Sequence, residues 1–191
     1  MTKETTDHWT PTRRSVLRLG TMSALGVGIG VPAFAGSAAA TKCPRTPGFW
    51  ANHPDAWEPL ELDDPLTIRG VTMTHSGWRD FLVSPTKGDK ANIMGKHYLA
   101  SILNLRNRPV DDPTCTDRKL KSGPFEGHTI EMVKNKAGDW LDDSNWAEEE
   151  KQKKWMAGGV DGEPLKDTLD RFNNDPSSLG LSCSCNNETS R

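Results

Sequence analysis

The run KANIMGKHYLASILNLRN, residues 90–107, constrains the fold more than any other segment. Ile93, Met94, Tyr98, Ile102 and Leu105 recur at helical spacing, supported by Leu99 and Leu103, and Pro109 and Pro113 close the run off. A helix this long with one broad apolar face needs other elements to cover it. Its neighbours supply them. In HTIEMVKNKAGDWL, residues 128–141, Ile130, Val133, Ala137, Trp140 and Leu141 share one side. HSGWRDFLVSP, from His75, places Trp78, Phe81 and Leu82 at i, i+3, i+4 and ends at Ser84-Pro85. PLKDTLDRFNN, from Pro164, turns Leu165, Leu169 and Phe172 inward and leaves Asn173-Asn174 near its C-cap. SNWAEEEKQKKW, residues 144–155, carries its acids early and its lysines late, an order that suits the helix dipole, so an exposed helix is expected there. The fold class is therefore mainly α.

Two segments depart from that pattern. In LTIRGVTMT, residues 66–74, an Arg69-Gly70 turn sets Ile68 opposite Val71 and Leu66 opposite Met73, with Thr67 and Thr72 on the other face. That is a short β-hairpin. From Cys43 to Pro65 five prolines, at 44, 47, 54, 59 and 65, exclude a long helix. A single helical turn is expected at NHPDAW, where Pro54 suits a first helical position and Asp55 the positive end of the dipole.

The first forty residues read differently. Arg13 and Arg14 precede an apolar, glycine-rich run from Val16 to Phe34, with no acid between Thr10 and Lys42. This resembles a twin-arginine export signal. Arg18 and Gly20, Gly26, Gly28 and Gly30 make the run too weak for a permanent anchor. Small-residue cleavage patterns follow at Ala33-Phe34-Ala35 or Ala38-Ala39-Ala40. The resemblance implies a prokaryotic source, the translocase as a partner during export, and cargo that folds before it crosses. The expected organisation is a signal peptide over 1–40, one small compact secreted domain over 41–186 and a polar tail over 187–191. Thr41-Lys42 before Cys43 is not a lipobox. No second apolar span follows, so no stable membrane span is expected in the mature form.

Taking Lys3, Arg13, Arg14 and Arg18 from 24 basic residues, and Glu4 and Asp7 from 26 acidic ones, leaves a surplus of about four acids in the mature chain. No basic stripe is present, so nucleic acid is excluded as a partner. Cys43, Cys115, Cys183 and Cys185 form an even set in an exported chain, and two disulfides are the simplest expectation. Cys183 and Cys185 are too close to bond each other comfortably, so one should reach Cys43 and the other Cys115. Closing a loop of about 140 residues is worth roughly 4–5 kcal/mol on the chain-entropy model. A zinc site of four thiolates fits less well, because Cys43 and Cys115 are lone residues.

The chemistry-bearing residues admit two readings. Trp50 and Trp57 could form an aromatic platform for a sugar, with Asn52 and His53 as polar partners. Alternatively the indoles are core, and a domain of about 150 residues has few other side chains large enough to dominate it. His53, His75, His97 and His128 could meet on a metal with Asp80 or Glu131, but no HExxH is present. His97, between Met94 and Tyr98, reads more simply as a hydrogen-bonded core histidine. The paired acids at 63–64, 111–112 and 142–143 lack the glycine and terminal glutamate of an EF-hand loop. There is no G-x-S-x-G, no phosphate-binding loop, and no G-x-G-x-x-G after a strand. No cofactor is expected, with a metal ion reserved for the alternative function.

TPGFWANHPDAW, residues 46–57, is similar to the GYWKNHP-x-x-W opening of a domain found in secreted and cell-surface bacterial and archaeal proteins. The likeness continues through LTIRGVTMT, through a Gly-Asp loop and helix ending in Leu-Asn at GDKANIMGKHYLASILN, and through EPLKDTLDRFNN, which resembles a late LKDTLDxYNN helix. Gly48, Trp50, Asn52, His53, Pro54, Trp57, Leu165, Asp167, Leu169, Asn173 and Asn174 match; Phe49 and Ala51 replace the usual tyrosine and lysine. The resemblance implies secretion, a compact helical domain and disulfides, and carries no activity with it. The function expected is that of an exported, non-catalytic extracellular or cell-surface interaction module, binding a protein or carbohydrate. The alternative is a secreted, metal-assisted hydrolase.

Overall fold

The computed structural model describes residues 43–107, 118–148 and 151–183. Its centre is the long run predicted from periodicity, helix α3 (Lys90–Arg106). Asp89 starts it: its Oδ1 accepts from the N–H groups of Ala91 at 3.0 Å and Asn92 at 3.3 Å, occupying two donors that a helix start leaves open. Met94, Tyr98, Leu99 and Leu103 are buried, whereas Ile93, Ile102 and Leu105 are half-buried. Helix α3 packs against α1 (Pro47–Asn52), α4 (Ile130–Asp143) and α5 (Glu163–Asn174), and α1 packs on α2 (His75–Val83). One hydrophobic core results, with Trp50, Trp78, Trp140, Met94, Leu165, Leu169 and Phe172 its largest fully buried members.

The hairpin forms in the expected register. Strand β1 (Leu66–Ile68) pairs antiparallel with β2 (Val71–Met73), Leu66 facing Met73 and Ile68 facing Val71. Arg69 and Gly70 both take positive φ, 46° and 78°, the mirror-image turn whose twist matches the strands. The Thr67 and Thr72 hydroxyls meet at 2.8 Å on the outer face. Arg69 then ties the turn down. Its guanidinium donates to Asp142 at 2.6 Å and to the Tyr98 hydroxyl at 3.1 Å, crossing α4 where Gly138 has no side chain to block it.

The structure corrects the reading elsewhere. The proline-rich opening contains a true helix, α1, as well as the expected turn, which is 3-10 over Pro54–Ala56. Residues 144–148 and 151–155 contain no helix: α4 ends at Asp143, Ser144 caps it, and Asn145 turns left-handed at φ 54°. The sequence there offered only Trp146 and Trp155 as an apolar face, too little to bury a helix. Each indole instead goes to its own neighbours, Trp146 to Trp78 and Phe81, Trp155 to Trp140. The Gly158-Gly159 break is the turn of a second hairpin, β3 (Met156–Ala157) with β4 (Val160–Asp161). Asn173 and Asn174 are the last two residues of α5, beside its C-cap Asp175 as expected, and Asn173 is in addition buried at 1% exposure. Of the four cysteines, Cys43 and Cys183 are described and neither is free. Cys115, Cys185, the segment expected to be an export signal (1–40) and the expected tail (187–191) lie outside the described residues. Among the described residues no helix is long and apolar enough to cross a membrane.

Candidate functional site

Helix α1 begins because Thr46 caps it, its Oγ1 accepting from Phe49 N–H at 3.0 Å, and because Pro47 occupies the position where a missing N–H costs nothing. Six residues of helix then place Trp50 inward. Its indole N–H donates to Asn104 Oδ1 at 3.0 Å, and its carbonyl accepts from the indole of Trp57 at 2.8 Å. The two rings are 0% and 2% exposed and stand at 89° to each other. Buried and perpendicular, they offer no ring face to a sugar, and the platform reading is replaced by a structural one. Asn52 is exposed and donates back to Gly48 carbonyl at 2.8 Å, inside its own helix. His53 is exposed, caps α1 through its backbone N–H, and stacks on Phe49 at 4.2 Å, with the Arg45 guanidinium 4.9 Å from the Phe49 ring centre.

The opening segment is fastened to the rest by buried amides. Asn104 Oδ1 accepts from Arg45 N–H at 2.7 Å as well as from Trp50, and its Nδ2 donates to Arg45 carbonyl at 2.9 Å and to Asn173 Oδ1 at 2.8 Å. Asn173 Nδ2 donates to His97 carbonyl at 2.9 Å, and Ser101 Oγ donates to the same carbonyl at 2.8 Å. Both asparagines are therefore satisfied, as buried amides must be if they are not to destabilise. The motif positions Trp50, Trp57 and Asn173 are thus parts of one internal joint between the opening, α3 and α5. Sequence reasoning missed Asn104, though the Leu-Asn ending of its helix and the Asn-Asn of α5 were the signal for it.

The four histidines occupy four different settings. His75 Nε2 lies 3.0 Å from Asp63 carbonyl, with Nδ1 4.0 Å from Asp64 and the ring against Trp57. His128 abuts Phe125 edge to face. His97 is mostly buried. Burial holds its imidazole below the ordinary pKa, an effect that nearby Asp170 and Asp167 oppose and Lys166 and Lys96 reinforce. Contrary to expectation, His97 Nδ1 makes no hydrogen bond and sits 3.6 Å from Asp170 Oδ1. Asp80 is exposed and Glu131 pairs with Lys134. Among the described residues no three His, Cys, Asp or Glu side chains converge as a metal site requires.

Two surface features remain. An open groove of about 290 Å³ runs beside the start of α5, lined by Pro124, Asp161, Glu163, Asp167 and Arg171. Next to it, the β3–β4 hairpin exposes Met156 (52%) and Val160 (47%), two of the four exposed large apolar side chains among the described residues. The hairpin is held rigidly from below. Trp140 indole N–H donates to Trp155 and Val160 carbonyls at 3.0 and 3.2 Å, and the indole fits against Gly162, where a Cβ would lie 2.4 Å from it. Lys90 stands 5.1 Å from the Trp155 ring centre, and Gln152 donates to Met156 carbonyl at 2.8 Å. No family model matches the chain, nor does any curated protein or solved structure.

Proposed function

We propose that this chain is an exported, non-catalytic interaction module that works outside the cytoplasm or at the cell surface. One observation carries the reading: the β3–β4 hairpin leaves the apolar side chains of Met156 and Val160 exposed, yet its base is fixed by Trp140 and Gly162 to the core. A pre-ordered apolar projection suits docking, because little side-chain or backbone freedom is lost when a partner covers it. The same reading takes residues 1–40 as a twin-arginine signal and the mature body as cross-linked by two disulfides. In support of the cross-links, neither Cys43 nor Cys183 is free.

The test is made in an exporting prokaryotic host. The mature protein should appear outside the cytoplasm with a new N-terminus close to residue 41. Arg13→Lys with Arg14→Lys should hold it inside. Met156→Ser with Val160→Ser should leave export and melting temperature unchanged but release the protein from the cell fraction into the medium. Retention of that double variant at the wild-type level refutes the docking role. Stoichiometric zinc, calcium or iron in the exported protein, with hydrolytic activity lost on chelation, would establish the hydrolase reading instead.

A further inference from the structure

We draw no further inference here: the strongest candidate, the open groove between the loop at 123–127 and the start of α5, lined by Pro124, Asp161, Glu163, Asp167 and Arg171, is a cluster of exposed acidic side chains at a helix start, and nothing in the structure shows what covers it.

Discussion

Replacing Asn104 with leucine attacks the joint where the opening segment, α3 and α5 meet. The side chains are similar in size, so the loss is chiefly polar. Four hydrogen bonds disappear: two between Asn104 and the Arg45 backbone, one from Trp50 and one to Asn173. They are not equal. Arg45 is only half-buried, and its backbone groups can turn to water. Asn173 Oδ1 keeps Ser101 Oγ within 3.2 Å, a hydroxyl whose one proton is shared with the His97 carbonyl at 2.8 Å. Among the described residues the Trp50 indole N–H has no second acceptor, and Trp50 is 0% exposed, so the group is left buried and unpaired. An orphaned donor costs about 1–3 kcal/mol, and the other three bonds about 0.5–1.5 kcal/mol each, so the total is about 2.5–7.5 kcal/mol. At a urea m-value of about 2 kcal/mol/M this lowers the unfolding midpoint by about 1–4 M. The decisive measurement is a double-mutant cycle. Trp50→Phe is costly in the wild type, because it loses packing and a hydrogen bond. In the Asn104→Leu background the N–H it removes is already a liability, so the same change should cost at least about 1 kcal/mol less. Equal costs in both backgrounds would refute the assignment of Asn104 as the acceptor that holds Trp50.

His97 gives a pH signature. Its pKa is depressed in the folded chain by burial, so the unfolded chain binds the proton more readily; stability is complete above about pH 6.5 and falls as the pH drops through that value toward the folded pKa. Urea midpoints between pH 7.5 and 5.5 should show the fall, His97→Gln should flatten it, and an NMR titration placing His97 above 6.5 would contradict it. Gly95→Ala should destabilise, although alanine is the better helix former by about 1 kcal/mol, because its Cβ would lie 2.6 Å from the Trp146 ring and overpacking costs about 1–3 kcal/mol. In a Trp146→Leu background the same change should become neutral or stabilising in a thermal melt. Gly138→Ala should displace the Arg69 guanidinium, which stands 2.2 Å from the added Cβ, and lower the melting temperature by an amount that Arg69→Ala already accounts for.

What the sequence disclosed followed from how local each signal was. The β1–β2 register was legible because alternation and a turn pair with positive φ, Arg69-Gly70, agree within nine residues. Helix α3 was legible because its apolar spacing persists for four turns. Helix α1 was not, because Pro47 was weighed as a breaker when, behind Thr46, it was a first helical residue. The charge order of 144–155 suggested a helix, but charge order contributes only tenths of a kcal/mol per pair and cannot replace a missing apolar face. At the site, the aromatic residues pointed to the core by their size alone. Asn104 and Asn173 did not, since an amide's burial depends on partners that lie more than fifty residues away.

Those partners carry a consequence for when the protein becomes whole. The bonds of the joint span 54 to 76 positions of chain, and one terminus of the network is Arg45 while the other is Asn173. As the polypeptide leaves the ribosome, the joint's bonds from the opening segment wait for α3, and those from α3 wait for α5, the last α-helix among the described residues. On the export route proposed above, a translocase that takes only finished cargo would engage the chain after α5 has been made, with α5 as the clasp that closes the body.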